Sequence, residues 1–464
     1  MTQSPARFDA IVIGTGQSGP PLAVDLANAG QRVAIIEREY FGGTCVNTGC
    51  IPTKTLIASA RAAHVVRTAG AFGVEIDGGF RVDMKKVKAR MDSVSGNSKQ
   101  NVEKWLRTTP NVTVVTGHAR FVSDHEVQVG DRVLAAERIF INVGGRAAIP
   151  DIPGLDTTPY LTNATMMDVD FLPEHLVIIG GSYIALEFAQ MYRRFGSRVT
   201  VLQRGPQLVA REDRDVAEAL RQLLEDEGVA VVLGVDGIAV RKDGDRVSIG
   251  MRANGAPFAL DASHVLIATG RRPNTDDLGL EATHIRRDAA GYIEVNDTLH
   301  TSVTGIWAIG DCNGRGAFTH TSYNDYEIVS ANLLHNGARR LTDRVPAYAL
   351  YTDPPLARIG LNETQIREQK RPALVGRREM ARVGRAFERG ETRGFMKVFV
   401  DAQSKLILGA CLFGIEADEV VHCLLDTMYA KKPYTLIQHA MHIHPTVSEL
   451  IPTLLGDLRP LGSV

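Results

Sequence analysis

The stretch AIVIGTGQSG, residues 10–19, decides the fold of this chain. Its apolar start predicts a buried strand, and the glycines that follow predict a tight turn into a helix. Gly14 allows the turn, Gly16 lets the backbone approach a pyrophosphate, and Gly19 lets the helix pack closely on the strand. The helix would present free N–H groups and the positive end of its dipole to the phosphates. The stretch therefore predicts a dinucleotide-binding site.

A second strand and an acidic residue extend this pattern. We predict a helix over residues 20–29 and a strand over residues 32–36 that ends on Glu37. Glu37 lies 23 residues after Gly14, where a carboxylate accepts hydrogen bonds from a ribose hydroxyl. A lone GxGxxG is weak evidence, because a plain βα turn can contain it. Strand, glycines, helix, second strand and acid together indicate a nucleotide site.

The same pattern recurs over residues 176–203. A strand over 176–179 runs into the turn GGSYIA at 180–185, which is followed by a helix over 186–194 and a strand over 199–202. Ser182 and Ala185 stand where the first copy has glycines, and small residues can serve there. We predict a second nucleotide site, with a plain βα turn as the alternative.

Gln203 lies 23 residues after Gly180 and so occupies, in the second pattern, the position that Glu37 occupies in the first. A glutamate would bind a ribose 2′-hydroxyl and repel a 2′-phosphate, so Gln203 removes that repulsion. Arg204 follows, and Arg211 is nearby in the sequence, so cations are available to pair with a phosphate. The sequence favours NADPH over NADH, although these arginines are also compatible with a merely solvated surface.

Two of the five cysteines lie close together in the stretch GGTCVNTGCIPTK, residues 42–54. Cys45 and Cys50, five apart, are near enough in one helical turn to form and break a disulfide, and Lys54 lies one predicted helical turn beyond Cys50. A helix N-terminus or a histidine nearby would lower a thiol pKa and produce a nucleophilic thiolate. The alternatives are two buried structural cysteines or half of a zinc site, which would need two further ligands.

Length and composition limit the other possibilities. A chain of 464 residues suggests two to four domains, and 44% apolar with 23% charged residues is typical of a soluble globular protein. A net charge of −1 indicates neither a nucleic-acid partner nor an anionic membrane surface. No apolar run approaches the ~20 residues of a membrane span, and residues 1–10 do not resemble a signal peptide. We therefore predict a cytoplasmic protein.

Several motifs resemble, in order, those of the class I pyridine nucleotide–disulfide oxidoreductases, such as dihydrolipoamide dehydrogenase, glutathione reductase and mercuric reductase. Besides residues 14–19, 42–54 and 180–187, they are ATGRRP at 268–273, AIGD at 308–311 and HIHPTVSE at 442–449. The resemblance implies an α/β protein with two doubly wound, Rossmann-like domains, one inserted in the other, and a C-terminal α+β dimerisation domain. The implied boundaries are 1–150 and 273–344 for FAD, 151–272 for NAD(P) and 345–464 for the interface. Residues 394–400 and 406–412 of the last domain predict an antiparallel hairpin.

The resemblance also implies roles for the catalytic residues. Cys50 would lie beside the flavin, and Cys45 would be the interchange thiol that meets the substrate. His444 would act as general acid/base for Cys45, with Glu449 orienting its imidazole. In the family this histidine comes from the other subunit, which implies a homodimer with a shared active site. Thiol–disulfide exchange needs a thiolate and a proton donor, and a histidine of near-neutral pKa supplies the proton.

Further cofactor contacts follow from the same resemblance. Lys54 and Glu187 match the family's ion pair beside flavin N5, and Asp311 matches the aspartate that holds the ribityl chain. The residues implied for FAD are Gly14, Gly16, Gly19, Glu37, Gly43, Thr44, Lys54, Ala119, Gly144, Asp311 and Thr319. Those implied for NAD(P) are Gly180, Ser182, Glu187, Gln203, Arg204 and Gly270. No resident metal is predicted.

The electron acceptor is left open between a small disulfide and a metal ion. The turn at 142–146 (NVGGR) and the stretch at 318–323 (FTHTSY) depart from dihydrolipoamide dehydrogenase. They are similar to mercuric-reductase-like and reactive-chlorine-resistance flavoproteins, some of which reduce copper(II). Residues 458–464 contain no cysteine pair for handing over mercury. The alternatives to a disulfide reductase are a flavin NAD(P)H oxidase or transhydrogenase, and a non-enzymatic flavin redox sensor.

Overall fold

The computed structural model describes residues 4–462. Outside the described part lie residues 1–3 and 463–464. They belong to the N-terminal and C-terminal segments (1–10 and 458–464) discussed above. No helix within 4–462 combines the length and the apolar character that a bilayer crossing needs.

Helices and strands alternate through the first 147 residues. They are β1 (Ala6–Arg7), β2 (Ala10–Ile13), α1 (Gly19–Asn28), β3 (Val33–Glu37), α2 (Gly43–Asn47), α3 (Cys50–Thr68), α4 (Met84–Thr108), β4 (Val112–Thr116), β5 (Ala119–Ser123), β6 (Glu126–Val129), β7 (Arg132–Ala135), β8 (Arg138–Ile141) and β9 (Gly145–Ala147).

The middle of the chain repeats the alternation and adds a meander. Its elements are β10 (His175–Ile179), α5 (Tyr183–Phe195), β11 (Arg198–Gln203), α6 (Arg214–Asp226), β12 (Ala230–Leu233), β13 (Val235–Asp243), β14 (Arg246–Ala253), β15 (Ala256–Ala262), β16 (His264–Ile267), β17 (Arg271–Pro273) and β18 (Ile306–Ala308).

The last part begins with a long helix and is then rich in antiparallel strands. Its elements are α7 (Thr319–Leu334), β19 (Ala347–Leu350), β20 (Leu356–Gly360), α8 (Glu363–Glu368), β21 (Ala373–Glu379), α9 (Gly384–Glu388), β22 (Phe395–Asp401), β23 (Ile407–Phe413), α10 (Ala417–Tyr429), α11 (Thr435–Gln438), α12 (Ile451–Gly456) and β24 (Arg459–Pro460).

The first sheet is parallel, in the order β18-β8-β2-β3-β4. Every residue of β2 and β3 is buried, as expected for strands covered on both faces. Strand β18 joins this sheet although more than 150 residues separate it from β8, so the chain leaves the first domain and returns to it.

The second sheet, β12-β11-β10-β16, is also parallel and lies within the excursion. Strands β9 and β17 pair antiparallel where the chain leaves and re-enters, with Arg271 opposite Ala147. One doubly wound unit is thus inserted in another, which confirms the predicted fold class. The boundaries at 150, 272 and 345 stay predictions.

The third sheet has the order β19-β20-β23-β22-β21-β24 and is antiparallel throughout. The predicted hairpin is confirmed as β22 and β23. A shared apolar core joins this sheet to the other units, because Leu56 of α3, Leu186 of α5 and Phe413 of β23 belong to one buried cluster. The site described next lies where these units meet.

Two local features differ from expectation. Helix α5 begins at Tyr183, three residues before the predicted start at 186, because Ser182 is the last extended residue and serves as its N-cap. Cys45 and Cys50 do not share one helix, since α2 ends at Asn47 and α3 begins at Cys50.

Candidate active site

The break between α2 and α3 brings the two cysteines together. Cys45 lies in α2 and Cys50 is the first residue of α3, and both are half-buried free thiols that share a hydrogen bond. Gly49 permits the break, because a Cβ there would lie 2.9 Å from the Thr44 carbonyl oxygen. Within residues 4–462, no three His, Cys, Asp or Glu side chains gather as a metal site.

The surroundings of Cys50 favour its thiolate. The Cys45 hydrogen bond lowers the pKa of Cys50 to about 6, although burial acts in the opposite direction. The Thr319 hydroxyl, 3.0 Å from Cys50 Sγ, and the charge of Lys54 lower this pKa further. Donating that hydrogen bond and being buried raise the pKa of Cys45. The reduced pair therefore carries its negative charge on Cys50.

An ion pair between half-buried Lys54 and buried Glu187 lies beside the cysteines. Lys54 Nζ, one turn along α3 from Cys50, donates to both carboxylate oxygens of Glu187, at 2.9 and 2.8 Å. The backbone N–H of Tyr351 donates to the same carboxylate at 3.0 Å, and Lys54 Nζ lies 4.5 Å from the centre of the Tyr351 ring. These contacts tie α3 to α5 and hold a cation near the thiolate.

A cavity of about 540 Å³ opens onto this cluster. Both cysteines and Glu187 line it, together with all but one of the residues implied for FAD: Gly14, Gly16, Glu37, Gly43, Thr44, Lys54, Ala119, Gly144, Asp311 and Thr319. The exception is Gly19, where a Cβ would lie 2.3 Å from the Gly14 carbonyl oxygen. Gly19 thus acts by close packing of α1, as the sequence predicted for this position.

The cavity walls fit FAD. Gly14 has φ +99° and a Cβ there would lie 2.4 Å from the Asn142 carbonyl oxygen, while a Cβ on Gly43 would lie 2.8 Å from the Cα of Gly16. These glycines form a backbone cradle that any side chain would fill. Burial raises the pKa of Asp311, whose carboxylate lies 3.6 Å from Arg271.

Glu37 lines the cavity beside this glycine cradle. It is 9% exposed and ends β3. One carboxylate oxygen accepts hydrogen bonds from the Thr15 N–H, at 3.0 Å, and from the Thr15 hydroxyl, and the other accepts from the Glu39 N–H at 2.9 Å. The carboxylate is thus fixed at the place where a ribose would lie.

The second turn reaches the cavity only through Tyr183 and Ile184. Of the residues implied for NAD(P), the lining includes Glu187 and none of the others. A Cβ on Gly180 would lie 2.2 Å from the Ala268 carbonyl oxygen, and Gly270 has φ +139°. Gln203 Nε2 donates to the Gln207 carbonyl at 3.2 Å. Arg204 is exposed and makes no hydrogen bond or ion pair with any residue of 4–462.

Arg211 lines a smaller cavity of about 240 Å³ together with Arg271 and Arg272. Arg204 is not among the residues that line this cavity. The assignment of both arginines to one phosphate stays a prediction.

His444 and Glu449 form a pair at the surface. His444 Nδ1 lies 2.8 Å from Glu449 Oε2, with the histidine side chain 79% and the glutamate 16% exposed. Neither residue lines the cavity that holds the cysteines. Met441 and Ile443 beside them are 99% and 80% exposed, an unusual state for apolar side chains. Within one chain, the histidine is not delivered to Cys45.

Sequence reasoning missed several residues of this site. Asn142 accepts a hydrogen bond from the Gly19 N–H and donates one to the Ile309 carbonyl, both at 3.0 Å, so it braces the first turn. The one sequence feature that could have identified Asn142 was its position at the start of the unusual turn at 142–146. Tyr183 and Tyr351 also line the cavity. No sequence signal pointed to Tyr351, because it arrives from the third sheet.

Comparison with known proteins agrees with this geometry. The family described as "Pyridine nucleotide-disulphide oxidoreductase" matches residues 8–325, and its dimerisation domain matches residues 346–455. A "Probable pyridine nucleotide-disulfide oxidoreductase RclA" from Escherichia coli is 36% identical over 98% of this chain and 100% of its own. A dihydrolipoyl dehydrogenase from Thermus scotoductus is 32% identical over 95% of both chains. A mercuric reductase from Staphylococcus aureus is 30% identical over 89% of this chain and 76% of its own.

Solved structures give the same result. The Cu(II) complex of the HOCl-induced flavoprotein disulfide reductase RclA from Escherichia coli superposes with a TM-score of 0.88 at 34% identity, covering 97% of this chain and 99% of that one. The chain therefore belongs to the pyridine nucleotide–disulphide oxidoreductases, a family of FAD-binding enzymes, and it carries that family's dimerisation domain.

Proposed function

We propose that this enzyme takes electrons from NADPH, passes them through FAD to the Cys45–Cys50 pair, and delivers them to a small disulfide or a metal ion. The observation that carries the proposal is the placement of Cys50. Its thiol lies in the wall of the cavity that fits FAD, and its pKa is lowered to about 6 by Cys45, Thr319 and Lys54. A thiolate at this position is what electron transfer between flavin and disulfide requires.

The chain's own residues divide the remaining work. FAD would supply hydride acceptance from the nicotinamide and two-electron reduction of the disulfide. Cys45, as thiolate, attacks one sulfur of an acceptor disulfide and releases the other as a thiol. Cys50 then attacks Cys45, which re-forms the Cys45–Cys50 disulfide and releases the second thiol. Glu449 holds Nδ1 of His444, leaving Nε2 to accept the Cys45 proton and protonate the leaving sulfur.

A shared active site follows from the position of His444. The histidine is exposed, lies in the dimerisation domain and is absent from its own chain's cavity. We propose a homodimer in which each chain supplies its His444–Glu449 pair to the other's cysteines. A cytoplasmic location is part of the same proposal, because a reducing compartment keeps such a pair in its working state.

The choice of NADPH as coenzyme and of copper(II) as a candidate acceptor each depends on one or two observations. Gln203 removes the repulsion that a glutamate would impose on a 2′-phosphate, and the unpaired Arg204 follows it, which favours NADPH. The similar Escherichia coli protein has been solved as a Cu(II) complex. Copper(II) is therefore a candidate acceptor here: two Cu(II) ions would become Cu(I) as the dithiol is oxidised to the disulfide and releases two protons.

The test is an anaerobic titration of the purified flavoprotein with NADPH. A Cys50 thiolate against oxidised flavin should produce long-wavelength charge-transfer absorbance. Because the pKa of Cys50 is lowered, this absorbance should be present above about pH 6 and fade as the pH falls through that value. Cys50→Ser should abolish it, and the control Cys423→Ser, a half-buried thiol outside the cavity, should not.

Other outcomes separate the alternatives. Bleaching of the flavin in the wild type without this absorbance would favour an oxidase or transhydrogenase. A redox sensor would show the absorbance but no steady consumption of NADPH with any disulfide or Cu(II). His444→Ala should leave the absorbance in place and slow turnover of a disulfide by ~10²-fold or more, the usual scale for general acid–base catalysis.

A further inference from the structure

An aromatic stack runs from the third sheet to the wall of the main cavity. The ring of Tyr348, in β19, lies parallel to that of Phe318, with centroids 5.7 Å apart and an interplanar angle of 1°. The Phe318 ring also stacks on the His320 ring and contacts the Tyr183 ring, with centroid distances of 5.4 and 5.5 Å. Phe318, His320 and Tyr183 all line the cavity, but Tyr348 does not.

The far end of the stack is anchored in the second nucleotide-binding unit. The Tyr348 hydroxyl donates to the carboxylate of Glu212, which is 6% exposed. The guanidinium of Arg358, 3% exposed, donates to the same carboxylate and to Asp213 at 3.1 Å. Burial raises the pKa of Tyr348, so the phenol keeps its proton and remains a donor. The ring of Tyr348 is therefore held in one orientation.

The near end of the stack sets the start of α7. Phe318 is the residue before the helix, and its N–H donates to the Thr321 hydroxyl at 3.2 Å. The Phe318 carbonyl accepts from that hydroxyl at 2.8 Å and from the Ser322 N–H at 3.0 Å. The next residue, Thr319, places its hydroxyl 3.0 Å from Cys50 Sγ. Through these backbone hydrogen bonds Phe318 fixes the first turn of α7, which carries the Thr319 hydroxyl.

We propose that Tyr348 and Phe318 are positioning residues that hold the Thr319 hydroxyl on Cys50. Tyr348 touches neither cysteine and acts through Phe318 and the first turn of α7. The stack also links segment 204–212, which carries Arg204 and Arg211 and ends at Glu212, to Cys50. This inference rests on the proposed function of Cys50.

The other groups that face Cys50 come from four elements. They are Cys45 on α2, Lys54 on α3 with Glu187 behind it on α5, Tyr183 on α5, and Tyr351 after β19. None of these groups accepts the hydrogen bond that the Tyr348 hydroxyl donates to Glu212, and comparison with a Thr319 variant assigns the effect of a change at Tyr348 to its route.

The experiment is a pH titration of the charge-transfer absorbance in the two-electron-reduced holoenzyme. Tyr348→Phe keeps the ring and removes the hydrogen bond to Glu212. Because a hydrogen bond to a thiolate favours the charged form, we expect a roughly tenfold lower thiolate-to-thiol ratio at pH values near 6. Phe318→Leu should act in the same direction. The matched control is Tyr326→Phe. Tyr326 lies on α7, the helix that carries Thr319, and the change removes a 2.8 Å hydrogen bond from its hydroxyl to the Asp25 carboxylate.

A double-variant comparison identifies the route. Thr319→Val should lower the ratio by itself, and adding Tyr348→Phe to it should change the ratio no further. Unchanged titration in both Tyr348→Phe and Phe318→Leu would overturn the inference, as would additive effects of Tyr348→Phe and Thr319→Val. Should Tyr348→Phe fail to retain flavin, Phe318→Leu decides. A wild type that lacks the absorbance would instead overturn the proposed function, whereas failure of the variants alone leaves that function standing.

Discussion

The two turns at residues 14–19 and 180–185 follow one sequence pattern but differ in how closely the surrounding backbone packs against them. In the first turn a Cβ on Gly19 would lie 2.3 Å from the Gly14 carbonyl oxygen, so the helix can approach only with glycine there. The equivalent position in the second turn holds Ala185, whose methyl group is fully buried. Each turn keeps its first glycine, because a Cβ on Gly14 or Gly180 would lie within 2.4 Å of a backbone oxygen.

The positions 23 residues after the first glycine of each turn, Glu37 and Gln203, also differ in how firmly they are held. Glu37 accepts two hydrogen bonds from Thr15 of the first turn and one from Glu39, and it is almost completely buried. Gln203 donates one hydrogen bond, to a carbonyl of its own loop, and is half-buried. A rigid, closely packed turn suits a cofactor that stays bound, and a looser one suits a coenzyme that leaves in every cycle. The predictions below test that distinction.

The largest effect is expected from Gly19→Ala. The new Cβ would meet a backbone oxygen at 2.3 Å and the Asn142 side chain at 3.0 Å, so α1 must move away from the cradle. We expect protein that purifies without flavin and is less stable by about 1–3 kcal/mol. The flavin-to-protein absorbance ratio and denaturant unfolding measure these effects. Gly70→Ala, with no atom within 4 Å of the new Cβ, is the control. Full flavin content in Gly19→Ala would show that the turn is not rigid.

Glu37→Gln should weaken FAD binding without unfolding the protein. The amide keeps the shape but loses the negative charge that accepts hydrogen bonds from Thr15, Glu39 and a ribose. We expect a rise in the FAD dissociation constant of roughly 10- to 100-fold, the scale of a hydrogen bond to a charged group. Reconstitution of the apoprotein with FAD measures it. The neighbouring, exposed Glu39 supplies the control Glu39→Gln.

Gln203→Glu should change the coenzyme preference in the other turn. A carboxylate there would repel a 2′-phosphate and accept from a 2′-hydroxyl. We expect the ratio of kcat/KM for NADPH to that for NADH to fall about tenfold, with flavin content unchanged. Gln222→Glu, on the exposed face of α6, is the control for added charge. An unchanged ratio would mean that Gln203 does not face the 2′ position.

Ala185→Gly should have the smallest effect. It copies Gly19 into the second turn, where the structure has room for a methyl group. We expect a loss of about 1 kcal/mol in the free energy of unfolding, from the lower helix propensity of glycine, and unchanged KM values for both coenzymes. A marked change in KM would indicate that the second turn is as tightly constrained as the first.

Much of the site was predictable because its signals are local. The glycines of both turns, the acid at the end of β3 and the Cys45–Cys50 pair lie within short stretches whose spacing reflects backbone geometry. His444 and Glu449, five residues apart, pair as the motif implies. The family resemblance added the assignment of the FAD residues, and these converge on one cavity, apart from Gly19.

Contacts between distant segments were not predictable. Asn142 reaches the first turn across 123 residues, and Thr319 reaches Cys50 across 269. Arg211 and Arg271 line one cavity although 60 residues separate them in the sequence. Nothing local indicates such contacts, because they depend on how the three sheets pack.

By itself, the sequence determined the two doubly wound units, the redox cysteines and the membership of the family, since glycine spacing and thiol spacing act through the backbone nearest to them. Only the tertiary structure decided which thiol carries the charge. Cys45 and Cys50 are equivalent as residues, and their difference comes first from the hydrogen bond between them, which lowers the pKa of Cys50 and raises that of Cys45, and then from the charge of Lys54 on α3, while the Thr319 hydroxyl on α7 lowers the pKa of Cys50 further. A pKa depends on the charges and donors within a few ångströms, and in this protein packing brings the hydroxyl donor from a distant part of the chain.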